Sequence, residues 1–263
     1  MAEKDKESYL VAFTLDFETG GLPRKDQPIS SIGITQVSIH ATRLDTFERL
    51  GSLTRYIRPY RRKEIKALAA TKRKVLKSKF DTGEMPMMVY DSKALEFTNL
   101  SLELLEEKGG DIEDVAREVL EFIISHTPKT KKNLMPFLLG QNIEFDKAFF
   151  MQMMEYAGLV GDVPKYLRGH EDFYGHWQPD TLDTIMLSQL ALCHRPDVTT
   201  YQLGSICEML GIELDDAHDA DADVSATTNV AAVLTRRMRD TEAGAGGSVA
   251  IARTEKTRKH FRI

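Results

Sequence analysis

The spacing of apolar residues predicts four strands in the first 140 residues of the chain. An apolar run, Tyr9–Leu15, is typical of a buried strand. Pro28–His40, which is rich in Ile, Val, Ser and Thr, predicts a second strand, and Phe47–Ile57 predicts a third. We expect these three strands to form an antiparallel meander. A fourth buried strand is predicted at Leu134–Gly140.

Helical patterns occupy most of the remaining chain. Asp111 precedes an amphipathic helix whose apolar residues lie on one face. Irregular segments are predicted at Asp81–Tyr90 and in the aromatic-rich connection Gly169–Pro179. Further helices are predicted at Glu64–Lys79, Ser101–Lys108, Phe145–Ala157, Thr181–Leu192, Gln202–Leu210 and Asp219–Arg239. Strands that alternate with helices after an initial meander predict an α/β fold with a mixed sheet.

The composition is that of a globular protein. Hydrophobic residues make up 42% of the 263 positions and charged residues 29%. No apolar run approaches the ~20 residues of a membrane span, and the charged N-terminus lacks the apolar core of a signal peptide. The two cysteines have neither a disulfide framework nor a zinc-ligand pattern around them. These features predict a cytoplasmic protein without a membrane association.

The net charge of −5 conceals two basic segments. Arg55–Lys79 contains eleven Lys or Arg and one acid, and Ala250–Ile263 contains five against one. Such segments on an acidic body suggest a polyanionic partner, although a solvated helix face or a disordered arm would give the same pattern. We expect one globular domain over residues 9–239, with a basic insertion at about 58–94. Residues 240–263 are expected to form a flexible basic tail.

The first candidate chemistry lies at the end of the first strand, at Asp16 and Glu18. Side chains two residues apart in a strand point to the same face, so these carboxylates would lie side by side. Like charges at that distance are unfavourable unless they share a cation, and carboxylate oxygens suit Mg²⁺, Mn²⁺ or Ca²⁺. Taken alone, the pair is better explained as a solvated strand end.

Two further motifs carry acids. Asp146 lies in the first turn of the helix that follows the fourth strand, at a corner where ligands collect in open α/β sheets. Asn142 precedes that helix and could cap it. The late helix Asp219–Arg239 begins beside His218 and contains Asp223. His218 is a candidate base, and Asp219, on the same helical face as Asp223, is a competing ligand.

The three motifs together, in this order, resemble those of the DEDDh (DnaQ-like) 3′–5′ exonucleases. They are D-x-E after a strand, N-x-x-F-D at a strand–helix corner and H-x-A-x-x-D-x-x-A-T on a late helix. The family includes the proofreading subunit of bacterial DNA polymerase III and RNase T, and the likeness covers about Val11–Arg239. It implies an RNase H-like fold, with a central mixed five-stranded sheet and helices on both faces. Asp183-Thr184 also matches the family's pattern.

The resemblance implies a two-metal phosphodiesterase. Asp16, Glu18, Asp146 and Asp223 would hold two divalent ions, Mg²⁺ or Mn²⁺, and His218 would take a proton from the attacking water. Two such ions can activate water and stabilise the leaving oxygen. The product would be a nucleoside 5′-monophosphate released from a free 3′ end.

The substrate contacts expected are Thr19, Leu22 as an apolar wedge, and Asn142. Gly20 departs from the family pattern, because relatives often have a second Thr there.

The leading hypothesis is an exonuclease acting on single-stranded DNA; the alternatives are a 3′–5′ exoribonuclease and a catalytically silent nucleic-acid-binding module. A polymerase or other replication protein is a candidate partner, and the sequence does not indicate an oligomeric state.

Overall fold

The computed structural model describes residues 9–63, 85–128, 134–214 and 219–244, with side chains up to residue 239 in the last segment. The strands are β1 Val11–Thr19, β2 Ile34–Arg43, β3 Glu48–Tyr56, β4 Phe137–Gly140, β5 Gly169–Glu171, β6 Trp177–Pro179 and β7 Thr181–Asp183. The helices are α1 Ser92–Phe97, α2 Leu102–Lys108, α3 Ile112–His126, α4 Ile143–Tyr156, α5 Thr184–Leu192, α6 Leu203–Leu210 and α7 Ala220–Gly244.

Five strands form one mixed sheet in the order β3-β2-β1-β4-β7. The meander pairs β1 with β2 and β2 with β3 in antiparallel fashion, whereas β4 is parallel to both β1 and β7. The carboxyl ends of β1, β4 and β7 therefore lie at the same edge of the sheet. The predicted mixed five-stranded α/β architecture is confirmed.

Helices cover both faces of the sheet, which explains why the central strand β1 is so apolar. On one face, α3 and α4 pack against the large alternating side chains Val11, Phe13, Leu15 and Phe17. On the other face, Ala12 packs with Ala231 of α7, and Thr228 of α7 lies within hydrogen-bonding distance of Thr14. The residues of β1 that precede the candidate site are thus fixed from both sides.

The structure corrects several predicted element boundaries. The second strand starts at Ile34 rather than Pro28, because Ile29–Ser31 forms a 3₁₀ turn in which Ser31 N–H donates to Pro28 O. The predicted helix Thr181–Leu192 loses its first three residues to β7, because they pair with β4 and Asp183 caps α5. The connection Gly169–Pro179 contains the two-stranded ribbon β5–β6.

Other predictions concern helix starts. The helix predicted from Ser101 starts at Leu102, because the Ser101 side chain caps α2, and Asp111 caps α3 in the same way. The short helix α1 was not predicted, and the predicted strand Leu134–Gly140 is shortened to Phe137–Gly140. The predicted helix Glu64–Lys79 lies outside the described residues.

The described part of the basic segment is engaged with acids of the same chain. Arg55 pairs with Glu118, and Lys63 pairs with Glu113, both of which belong to α3. These exposed pairs contribute little to stability, but they join the described part of the basic segment to α3. Among the helices of the described ranges, none combines the length and apolar character needed to cross a membrane.

Candidate metal and active site

The sheet edge at which β1 and β4 end brings three of the predicted motifs together. Asp16 and Glu18 lie near the end of β1, on the face that α7 covers, and a register shift in the pairing of β1 with β2 follows Glu18. Asp146 lies in the first turn of α4, directly after β4. Asp223 lies in the first turn of α7. The parallel pairing of β1 with β4 therefore gathers residues that are far apart in the sequence.

Asp16, Glu18 and Asp223 form the acidic trio. One carboxylate oxygen from each residue lies within 4.8 Å of the others. Burial, followed by the charges of Asp223 and Asp219, raises the pKa of Asp16 from 3.8 to about 7. Burial and the charge of Asp16 raise the pKa of Glu18 from 4.5 to about 8. Three half-buried carboxylates this close form an all-oxygen donor set that fits a hard divalent cation.

Asp146 is the fourth acid and is held differently. It is 3% exposed, and its Oδ1 accepts a hydrogen bond of 3.0 Å from the backbone N–H of Phe17, the residue between Asp16 and Glu18. Burial and the charge of Asp16 raise its pKa well above the ordinary value, although the Phe17 hydrogen bond opposes this. Asp146 is thus tied to the backbone of β1 beside the trio rather than being part of it.

The start of α7 contains the remaining predicted candidates. His218, the candidate base, lies outside the described residues. Asp219 caps α7, because its Oδ1 accepts hydrogen bonds from the backbone N–H groups of Asp221 and Ala222. Its Oδ2 accepts a hydrogen bond of 3.2 Å from Gln36 of β2. Asp219 therefore has a structural role, and its charge acts on the trio from nearby.

The loop after β1 explains why Gly20 departs from the expected motif. Gly20 N–H donates to Gly33 O, and Gly20 O accepts from Asp91 N–H. A Cβ at Gly20 would lie 2.4 Å from the backbone oxygen of Val89. The segment that returns from the basic insertion therefore lies against this loop too closely for any side chain at position 20.

Two of the predicted substrate contacts lie in the same loop. The Thr19 hydroxyl donates a hydrogen bond of 2.8 Å to Gly21 O and is buried, so it braces the loop. Leu22 is 68% exposed. An exposed leucine on a braced loop beside a polar site is available to contact a ligand.

Asn142, the third predicted contact, does not cap α4 through its side chain, so that alternative is wrong. It adopts a left-handed conformation with φ 56° and is exposed, and its backbone N–H donates to Asp183 Oδ1. It borders an open pocket of about 440 Å³, which Gln141, Ile185, Thr200, Tyr201, Gln202 and Leu203 also line. The Asn142 side chain is therefore free to face a bound molecule.

Residues to which the sequence assigned no role hold this corner together. Gln141 donates a hydrogen bond of 2.7 Å to the backbone oxygen of Tyr201, and the Thr184 hydroxyl lies 3.1 Å from Gly140 O. Asp183 both caps α5 and accepts from Asn142. Asp183-Thr184 belonged to the recognised pattern without an assigned role, whereas Gln141 gave no local signal because its partner is 60 residues away.

Comparison with known proteins gives structural likeness only. No protein-family model matches the chain, and no curated protein sequence matches it. Escherichia coli exonuclease I in complex with a dT13 oligonucleotide is 18% identical, with a TM-score of 0.54, and the match covers 89% of this chain and 43% of that one. The zinc-bound E. coli exonuclease I–ssDNA complex is 18% identical, with a TM-score of 0.55 and coverages of 90% and 42%. An exonuclease I–SSB-Ct complex is 17% identical, with a TM-score of 0.57 and coverages of 88% and 42%.

These matches concern the fold. Exonuclease I has an RNase H-like fold, and the likeness extends over nearly all of this chain, so the predicted RNase H-like fold is confirmed. The chain spans about two fifths of the length of the structures it matches.

Proposed function

We propose that this protein is a metal-dependent 3′–5′ exonuclease that hydrolyses the terminal phosphodiester bond of single-stranded DNA. The observation that carries the proposal is the convergence of Asp16, Glu18 and Asp223 within 4.8 Å at a strand–helix corner. Acids that are merely solvated do not need to be crowded and half-buried, because that arrangement raises their pKa values. A bound divalent cation would offset this cost.

Two independent observations support the choice of nuclease chemistry. The trio and Asp146 occupy the four acidic positions of the motifs that resemble the DEDDh exonucleases. The structural neighbours are exonuclease I, and those described above include a complex with a dT13 oligonucleotide and a zinc-bound complex with ssDNA. The finer likeness to the proofreading subunit and RNase T rests on the motifs alone.

The proposed metal site uses the four carboxylates. Asp16, Glu18 and Asp223 would supply ligands at one point, and Asp146 would add an oxygen beside them while it remains bonded to Phe17 N–H. When two divalent ions are bound, they lower the pKa of a water molecule and offset the negative charge that gathers on the phosphate and the leaving oxygen. We propose Mg²⁺ or Mn²⁺ because the donors are all oxygens.

The remaining residues would position the strand and move the proton. His218, which immediately precedes Asp219, would accept a proton from the attacking water, so activity would require its neutral form. Leu22 would pack against the terminal base, and the pocket beside Asn142 has a volume within the ~300–1,000 Å³ range of small-molecule sites. Thr19 would act mainly by keeping the Leu22 loop in place.

A degradation assay tests the proposal. With Mg²⁺ or Mn²⁺, the purified protein should shorten 5′-labelled single-stranded DNA from its 3′ end and release nucleoside 5′-monophosphates. EDTA should abolish the reaction, because the carboxylates alone supply no Lewis acid. Equal activity in EDTA, or shortening from the 5′ end, would refute the proposal. A matched RNA oligonucleotide in the same assay identifies the exoribonuclease alternative.

Variants link the activity to the trio. Asp223→Ala should reduce turnover by at least ~10²-fold, while Asp45→Ala, which removes an exposed carboxylate paired with Arg43, should leave it unchanged. An active Asp223→Ala protein would refute the ligand assignment.

A further inference from the structure

Asp221, at the start of α7, makes an unusual set of contacts with the sheet. Its Oδ1 lies 2.8 Å from His40 Nε2, 3.0 Å from Thr54 Oγ1 and 3.2 Å from Ser38 Oγ. His40 and Ser38 belong to β2 and Thr54 to β3, so two strands supply three polar groups to one carboxylate oxygen. A hydroxyl group and an imidazole N–H can each donate to that oxygen.

These contacts lie immediately beside the acidic trio. In the sheet, Ser38 is paired with Asp16 across β1 and β2, and His40 is paired with Thr14. Ser38 and His40 are both buried, at 0% and 1% exposure. Ser38 and His40 are therefore one strand away from the acids of β1, and Thr54 is one strand further, on the sheet face that α7 covers.

Helix geometry links the position of Asp221 to that of Asp223. Side chains two residues apart on a helix point in different directions, so Asp221 reaches the β2–β3 side while Asp223 reaches the acids of β1. Contacts in two directions from one turn fix the rotation of α7 about its axis and the distance of this turn from the sheet. A rotation that displaced Asp221 from His40 would also move the Asp223 oxygen away from Asp16 and Glu18.

A second contact acts on the same turn. The Gln36 amide donates to Asp219 Oδ2 at 3.2 Å and lies 3.4 Å from the backbone N–H of Ala220. Gln36 is paired with Glu18 across β1 and β2. The first turn of α7 is thus held to β2 at two points, and both points are neighbours of the acids of β1.

We propose that Asp221 is a positioning residue, which sets the place of the Asp223 carboxylate in the metal site through its contacts with Ser38, His40 and Thr54. The inference rests on the proposed function in so far as it takes the acidic trio to be a metal site. The recognised motif H-x-A-x-x-D leaves position 221 open, so this role belongs to this chain and not to the motif.

Direct measurement of Mn²⁺ binding by titration calorimetry tests the role without relying on catalysis. Asp221→Ala removes the acceptor and should weaken Mn²⁺ binding by about tenfold, the lower end of the ~10–100-fold loss typical when a group that orients a metal ligand is removed. Asp221→Asn keeps an oxygen that can accept the same contacts and should bind Mn²⁺ within about threefold of the unmodified protein. Thr54→Val removes one of three groups and should have an intermediate effect.

Thr228→Val is the matched control. Thr228 lies on the same helix, and its hydroxyl is 2.9 Å from the Thr14 hydroxyl of β1. The substitution removes this contact and the hydrogen bond of 2.9 Å from the same hydroxyl to Val224 O, while Asp219, Asp221 and Asp223 keep their side chains. We expect it to lower the melting temperature to a similar extent as Thr54→Val but to leave Mn²⁺ affinity unchanged.

The outcomes separate the possible explanations. If Asp221→Ala binds Mn²⁺ as tightly as the unmodified protein, or if Thr228→Val loses as much affinity, Asp221 has only a general structural role and the inference is wrong. Failure of Asp221→Asn to restore binding would also overturn it. An unmodified protein that binds Mn²⁺ but degrades neither DNA nor RNA would refute the proposed function alone, whereas absence of Mn²⁺ binding would refute both.

Discussion

Replacing Asp16 with asparagine tests whether the acidic trio is under electrostatic strain when no metal is bound. The substitution keeps the shape of the side chain and removes one of three charges whose oxygens lie within 4.8 Å of one another. We expect Asp16→Asn to be inactive as a nuclease and yet more stable than the unmodified protein in EDTA at pH 8.

The size of the gain follows from the geometry. Two unit charges 4.8 Å apart repel by about 3.5 kcal/mol at an effective dielectric constant of ~20. Burial, followed by the charges of Asp223 and Asp219, raises the pKa of Asp16 from 3.8 to about 7, and a shift of that size corresponds to a cost of about 4 kcal/mol when the carboxyl group is ionised. Because solvent reaches the half-buried trio and screens it, we expect a gain of about 1–3 kcal/mol.

The gain should depend on pH in a defined direction. Since the folded-state pKa of Asp16 is raised, the folded protein binds more protons than the unfolded chain between about pH 4 and pH 7. Below about pH 4 the Asp16 carboxyl group therefore does not lower the free energy of unfolding. It lowers this free energy progressively as the pH rises, and its full effect is reached above about pH 7. The stability difference between Asp16→Asn and the unmodified protein should follow the same course.

Thermal melts in EDTA across this pH range measure the effect. Each kcal/mol corresponds to about 2–4 °C in a protein of this size. Mn²⁺ should raise the melting temperature of the unmodified protein at pH 8 more than that of Asp16→Asn, because the variant has lost a ligand.

Asp45→Asn is the control: the pKa of Asp45 is lowered by its hydrogen bond with Arg43, so its neutralisation should not stabilise the protein at any pH. A destabilised Asp16→Asn protein at pH 8, or a gain that is independent of pH, would refute the reasoning.

Three further substitutions test the surroundings of the site. Gly20→Ala places a Cβ 2.4 Å from Val89 O and should lower the free energy of unfolding by about 1–3 kcal/mol, measured by denaturant titration. Leu22→Ala changes an exposed side chain, so stability should stay within ~0.5 kcal/mol while the KM for a single-stranded oligonucleotide rises; an unchanged KM would contradict the wedge role. Asp183→Ala removes the cap of α5 and the acceptor for Asn142 N–H and should cost about 1–2 kcal/mol in the same titration; unaltered stability would contradict the capping role.

The long, strongly patterned elements could be predicted from the sequence, whereas the three-residue strands β5, β6 and β7 could not. The β1–β3 meander and α3 have enough residues for a period to emerge. By contrast, β7 is three residues long and leads directly into α5, so the sequence predicts its three residues as the first turn of that helix. It is a strand because β4 offers it a parallel partner, and that partner is 43 residues away in the sequence.

The same distinction applies to the site. Asp16, Glu18 and Asp223 could be singled out because their motifs are local, and in the structure one oxygen of each lies within 4.8 Å of the others. The Phe17 hydrogen bond to Asp146 could not be predicted, because it joins residues 129 positions apart. Motifs thus indicate which residue types converge, while long-range pairing determines which atoms each acid contacts.

Gly20 illustrates how a local departure from a motif can have a distant cause. In the sequence, the glycine suggests a weaker contact with the substrate, because the DEDDh motif that the sequence resembles often has threonine at this position. In the structure, the backbone of Val89 and Tyr90, at the end of the basic insertion, occupies the space where that side chain would lie, and Asp91 N–H donates to Gly20 O. The glycine is therefore required by the position of this segment. A threonine at position 20 is compatible with the loop only if Val89 and Tyr90 move away. A shortened chain without the insertion should accordingly tolerate Gly20→Thr better than the full chain does.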